Sequence, residues 1–195
     1  MAKGSLMFIS GGVRSGKSSF AEKAAADLAK QTGGKLHYIA AGKACDSEME
    51  ARILRHKEDR KKNGISWTTW EQPVRLAELS GVFGDKDIVL FDCLTTLLNN
   101  ELFSAENLWR KQDFQEKVSS DILHAINEIR KRCKTIIVVS NEVLNEPIGG
   151  NELVFIYGKI LGCLHQKMVE IANQAYLIES GIPIQMKGEP ACKEL

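Results

Sequence analysis

The sequence predicts an α/β fold, a three-layer arrangement in which a mainly parallel sheet is covered by helices on both faces and ends in a C-terminal β-hairpin. Three observations carry that prediction. Apolar runs alternate with amphipathic ones along the 195 residues. The runs "LMFIS", "DIVLF" and "TIIVV" each carry four consecutive apolar residues rather than one at every second position, as expected of strands buried on both faces. A glycine-rich turn joins the first strand to the first helix.

Taken in order, "LMFIS" (6–10) reads as a buried strand and "SSFAEKAAADLAKQTGG" as a helix with Phe20, Ala24, Ala25 and Leu28 on one face, stopped at Gly33–Gly34. "KLHYIAAG" is a second strand. "DSEMEARILRHKEDRKKNG" is a helix capped by Asp46 or Ser47 and stopped at Asn63–Gly64. "SWTTWEQP" is a short strand ending at Pro73, and "VRLAEL" a short helix. "DIVLFDCLTTLL" begins as a buried strand. "DFQEKVSSDILHAINEIRKR" is an amphipathic helix through Phe114, Val118, Ile122, Ile126 and Ile129, and "KTIIVVSNEV" is a strand. Residues 145–152, "NEPIGGNE", read as a loop. A helix through Ile160, Leu161, Leu164, Met168 and Ala172 follows, and "AYLIESGIPIQMKG" makes the hairpin around Ser180–Gly181. With no internal repeat and no linker, residues 1–195 are expected to form a single nucleotide-binding domain.

Composition narrows the function. A formal net charge of +1 gives no bulk attraction to nucleic acid or to a membrane surface, so an anion must be held by a local arrangement. No apolar run approaches the length of a membrane span, and the N-terminal stretch is too short for a signal peptide. Cys45, Cys93, Cys133, Cys163 and Cys192 are odd in number with no CxxC pair, which argues against a zinc site or a disulfide framework. A cytoplasmic location is expected.

"GGVRSGKS" (11–18) fits G-x-x-x-x-G-K-[ST] between a strand and a helix, the context this P-loop motif requires. Gly11, Gly12, Val13, Arg14, Ser15 and Gly16 would turn backbone N–H groups toward phosphate oxygens at the positive end of a helix. Lys17 would neutralise the β- and γ-phosphates, and the Ser18 hydroxyl would ligate Mg²⁺. The fold class is therefore expected to be P-loop NTPase-like. Asp92, ending the strand in "DIVLFD", is the expected second metal residue, acting partly through water; its competing reading is a turn cap. Glu142, after "IIVVSN", is a second strand-end acid with a weaker claim to chemistry.

On the helix at 46–62, Arg52, His56 and Arg60 recur at i, i+4 and i+8 and share one stripe. Flanking guanidiniums favour the neutral, nucleophilic imidazole and would stabilise an attacked phosphate. A solvated surface histidine is the plain alternative, and on these residues alone both readings stand.

"GGVRSGKSSFAE", "YIAAGKACDSEMEARILRHKEDR", "WTTWEQP", "FDCLTTLLNNEL" and "VSNEV" together resemble, in order and spacing, the bifunctional adenosylcobinamide kinase / adenosylcobinamide-phosphate guanylyltransferase family of cobalamin synthesis. The close matches run from about residue 6 to 143, and "GKILGCLHQKMVEIANQAYLI" continues them more weakly. The resemblance implies ATP and GTP as substrates, a corrinoid acceptor (adenosylcobinamide or its phosphate), and a trimer. It implies that GMP travels on His56, and that Ala41, Gly42, Lys43, Lys57, Glu58, Asp59, Arg60, Glu71 and Asp92 contact nucleotide.

The sequence departs from that pattern in three places. Ala41 stands where the family has threonine. "LNEPIGG" and "FIYGK" replace a glycine-rich stretch and an arginine motif, leaving Phe155, Gly158 and Lys159 where charges of other kinds are usual. His165–Gln166 replaces Asn-Gln. The nucleotide half is expected to be intact and the corrinoid contacts to be altered. Two further readings compete: a P-loop small-molecule kinase without guanylyl transfer, and a GTP-binding regulatory protein using residues 46–62 as a switch. The absence of an N-K-x-D motif weakens the second.

Overall fold

The computed structural model describes residues 4–42, 66–143 and 151–188. Its strands are β1 (Ser5–Gly11), β2 (Leu36–Ala40), β3 (Trp67–Glu71), β4 (Ile88–Asp92), β5 (Thr135–Asn141), β6 (Gln174–Glu179) and β7 (Ile182–Lys187). They form one sheet of order β3-β2-β4-β5-β1-β6-β7, in which every pairing is parallel except β6–β7. The helices are α1 (Lys17–Thr32), α2 (Leu94–Leu102), α3 (Gln112–Arg132) and α4 (Glu152–Ile171).

The all-apolar strands are explained by the two cores they serve. Alternate residues of a strand point to opposite faces. Met7, Ile9, Ile88, Leu90, Ile137 and Val139 pack with Ala21, Ala25 and Ala29 of α1 on one face. Leu6, Phe8, Val89, Phe91, Ile136 and Val138 pack with α2, α3 and α4 on the other. A polar residue at any of these positions would enter one core or the other.

Helix α3 buries Val118, Ile122, Ile126 and Ile129 of its predicted stripe, with Ala125 added to it and Phe114 only partly buried. Helix α1 is rotated from expectation. Its buried face is Lys17, Ala21, Ala25, Ala26 and Ala29, while Phe20, Ala24 and Leu28 flank it half-buried. The small alanines let the helix lie close on the sheet, and the larger Phe20 fits beside it against Tyr176, at 5.2 Å between ring centroids.

The helix expected over 74–79 is only a 3₁₀ turn, Leu76–Leu79, because Arg75 adopts φ 53° and breaks the α-helical entry. The apolar run after Asp92 is α2, and the last two residues of the expected 145–152 loop belong to the start of α4: Glu152 begins the helix and Asn151 caps it, its Oδ1 accepting from Leu153 N at 3.0 Å. The hairpin is as expected: Ser180 (φ 51°) and Gly181 (φ 83°) supply the two left-handed residues of a tight turn. The helix expected over 46–64 and residues 145–150 of the expected loop lie outside the described residues. Among the described residues, no helix is long and apolar enough to cross a membrane.

Candidate active site

Parallel sheets present their functional groups at the C-terminal ends of the strands. Here β1 ends at Gly11, the chain turns through Gly12–Gly16, and α1 starts at Lys17. The turn is held from three directions. Glu142 N donates to Gly11 O at 2.7 Å from the end of β5, Gly181 N donates to Ser15 O at 2.8 Å from the hairpin, and Ser15 N closes on Gly12 O at 3.2 Å. Gly11 admits no side chain, since a Cβ there would lie 2.4 Å from Ile178 O. Val13 and Arg14 stand exposed at the tip.

Lys17 is buried, and its Nζ donates to Gly12 O at 2.6 Å, which places the ammonium within the turn. Ser18 Oγ donates to Asp92 Oδ2 at 3.2 Å, joining the first turn of α1 to the end of β4. Tyr38 OH donates to the same carboxylate oxygen at 3.0 Å. Strand β5 lies between β1 and β4, so Asp92 reaches Ser18 across the end of an intervening strand. The structure thus brings together Gly11–Ser18 and Asp92. A hydroxyl and a carboxylate are hard oxygen donors suited to Mg²⁺, which takes one or two protein ligands and completes its shell with water and phosphate.

The remaining sequence-predicted positions are more scattered. Ala41 is fully buried; its N donates to Asp92 O at 3.0 Å and its carbonyl accepts from Asn100 Nδ2 at 3.0 Å. Asn100 also donates to Pro73 O at 2.9 Å, tying the ends of β2 and β3 together. Gly42 follows, half-exposed. Glu71 ends β3, in register with Ala40, which is in register with Asp92. At the usual strand spacing Glu71 therefore lies about 10 Å from Asp92 along the same edge of the sheet. Lys43, His56, Lys57, Glu58, Asp59 and Arg60 lie outside the described residues. Phe155 and Lys159, two of the departures, are exposed on α4.

Two polar groups at this edge were not anticipated. Cys93 Sγ lies 3.0 Å from both Thr95 Oγ1 and Thr96 Oγ1, Asn141 Nδ2 donates to Thr95 Oγ1 at 3.1 Å, and Tyr157 OH donates to Thr95 O at 2.9 Å. Burial, aided by the Asp92 charge, pushes the Cys93 thiol up, so it stays protonated and is a poor nucleophile. In the second group Ser140 Oγ meets His165 Nε2 at 2.7 Å, and His165 Nδ1 lies 3.9 Å from Glu142 Oε2. Burial pushes the His165 pKa down, with the Glu142 carboxylate opposing it. Asn141 and Tyr157 carry no spacing signal. Sequence reading marks Glu142 as a strand-end acid and His165 as a departure, but nothing in the order of residues joins them.

The profile of the cobinamide kinase / cobinamide phosphate guanyltransferase family matches residues 7–186. The chain belongs to this family. As a member it is an enzyme, a kinase and guanylyltransferase of cobalamin biosynthesis. Among its relatives, the bifunctional adenosylcobalamin biosynthesis protein CobP of Pseudomonas aeruginosa is 34% identical over 183 residues, covering 93% of this chain and 97% of the relative. The corresponding CobU of Escherichia coli is 29% identical over 188 residues, covering 93% of this chain and 99% of the relative. Among solved structures, the flagellar accessory protein FlaH of Methanocaldococcus jannaschii aligns at TM-score 0.48 and 14% identity, covering 97% of this chain and 80% of that one.

Proposed function

We propose that this family member phosphorylates the aminopropanol hydroxyl of adenosylcobinamide and then transfers GMP from GTP to the new phosphate by way of His56. The observation that carries the reading is the Lys17, Ser18 and Asp92 arrangement at the mouth of the glycine turn, in a chain matched to the family over nearly its whole length. Gly11–Gly16 cradle the triphosphate, Lys17 neutralises its outer phosphates, and Ser18 and Asp92 hold Mg²⁺ partly through water. The metal supplies charge neutralisation on the phosphate oxygens.

In guanylyl transfer the neutral imidazole of His56 attacks the α-phosphorus of GTP. An N–P bond forms, the bridging P–O bond to the β-phosphate breaks, and pyrophosphate leaves. A phosphate oxygen of the cobinamide phosphate then displaces His56, giving adenosylcobinamide-GDP. Two displacements replace one, and Arg52 and Arg60 supply positive charge beside the transferred group. Ala41–Lys43, Lys57–Arg60 and Glu71 are the proposed contacts to the rest of the nucleotide, and a trimer is the proposed assembly.

Mass analysis of the corrinoid after incubation with Mg²⁺, ATP and GTP tests the reading. The expected products are first the monophosphate and then the GDP conjugate. An unchanged corrinoid, with nucleotide hydrolysed, overturns it.

A further inference from the structure

The proposed cradle accounts for the phosphates but leaves open which group receives the proton of the attacking hydroxyl. The Ser140–His165–Glu142 group sits beside the glycine turn. Glu142 is fixed to the cradle by its own backbone, through its 2.7 Å bond to Gly11 O, one residue from the Gly12 carbonyl that holds Lys17. Its side chain stands on the α4 side of the sheet edge, on the face opposite α1, and retains 23% exposure. His165, on α4, is held in place by fully buried Ser140 at 2.7 Å and by an edge-to-face contact with Phe8, at 5.3 Å between ring centroids.

We propose that Glu142 is the catalytic base of the phosphoryl-transfer step and that His165 is its positioning residue. As the acceptor hydroxyl oxygen forms a bond to the γ-phosphorus, the bridging β–γ P–O bond breaks and the nucleoside diphosphate leaves. The hydroxyl proton passes to the Glu142 carboxylate and then to solvent. His165, neutral because it is buried, has one tautomer that satisfies both neighbours: Nε2 accepts from the Ser140 hydroxyl while Nδ1–H faces Glu142. At 3.9 Å that N–H is too far for a direct hydrogen bond, so it acts on the carboxylate through its dipole or one water. The anchored ring presents that N–H to the carboxylate and so helps set the direction in which it faces.

This rests on the cradle reading, and the test separates the two. ATP affinity, read with a fluorescent ATP analogue, and kcat and KM for phosphoryl transfer to cobinamide are measured for wild type, Glu142→Gln, His165→Ala and His165→Asn. Thermal unfolding of each variant is followed alongside. Asn is chosen because its amide N–H occupies the place of Nδ1–H. Glu142→Gln is expected to lower kcat by about 100-fold or more, the usual size of a base contribution, with ATP affinity retained. His165→Ala is expected to lower kcat by roughly 10-fold with little change in KM, and His165→Asn to restore most of it. Turnover of Glu142→Gln within twofold of wild type overturns the base assignment. A His165→Ala loss that His165→Asn does not recover, or that follows the fall in thermal stability, overturns the positioning role. A wild-type protein that fails to bind the ATP analogue overturns the cradle reading and this inference with it.

Discussion

At the scale of single residues, the site depends on a few polar atoms placed at strand ends. The Ser18–Asp92 contact joins two elements that are distant in sequence, and Tyr38 supports the same carboxylate oxygen. Asp92→Asn is expected to reduce phosphoryl transfer by 10²-fold or more, roughly the loss that follows removal of one preorganised charge-stabilising group. Tyr38→Phe keeps the ring and removes one bond to a charged group, about 1.5–3 kcal/mol, so a smaller loss is expected. Steady-state kinetics on both variants checks the order. Arg130 acts at the other end of the molecule. Its guanidinium donates to Gly4 O at 2.6 Å, Ile171 O at 2.8 Å and Asn173 Oδ1 at 2.8 Å, joining the start of β1 to the end of α4. Arg130→Ala leaves these part-buried acceptors short of a donor and is expected to cost about 1–3 kcal/mol of stability, read by urea unfolding.

Elements carry two further predictions. The β6–β7 turn braces the glycine loop through the 2.8 Å bond from Gly181 N to Ser15 O. Gly181 sits at φ 83°, where a Cβ costs about 1–2 kcal/mol, so Gly181→Ala is expected to strain the turn and weaken nucleotide binding. Isothermal titration with ATP reads both the affinity and its enthalpy. Near the start of β4, Asp87 accepts from Gly84 N at 2.8 Å, Lys35 N at 3.2 Å and His37 Nε2 at 3.2 Å. Burial alone would raise the Asp87 pKa, but the Gly84 and Lys35 N–H groups, with His37, outweigh it and hold the carboxyl below 3.8. The folded pKa is the lower one, so the carboxylate contributes stability above the unfolded value. That contribution is lost as the pH falls through the folded value. Asp87→Asn is therefore expected to be less stable than wild type at pH 7, with the difference shrinking below about pH 4 as the wild-type carboxyl protonates. Urea unfolding at a series of pH values gives the two curves.

At the scale of the whole molecule, the sheet order explains why the site is where it is. With β5 between β1 and β4, the glycine turn, Glu142 and Asp92 open onto one edge, and Glu71 lies farther along it. Much of this was legible in the sequence. The all-apolar strands announced two covered faces, the P-loop signature marked the strand–glycine turn–helix unit, and the terminal acid of "DIVLFD" lies against Ser18 of that unit. What was not legible depends on register between distant segments. Tyr38 reaches Asp92 because β2 and β4 are paired, a fact held in no local pattern. His165 looked like a mere departure until the packing of α4 on β5 set it against Ser140 and Glu142. The turn at Leu76–Leu79 was misread as a helix because its apolar spacing is helical, while the backbone reversal at Arg75 carries no compositional mark.

The central claim is that GMP is carried on His56. The most direct measurement is incubation of the protein with Mg²⁺ and GTP labelled on the α-phosphate, beside a γ-labelled control and the His56→Ala variant. Acid-labile, base-stable label, retained from the α position alone and lost in the variant, is the predicted result. A protein that binds GTP yet takes up no label, or a variant labelled as well as wild type, would contradict it.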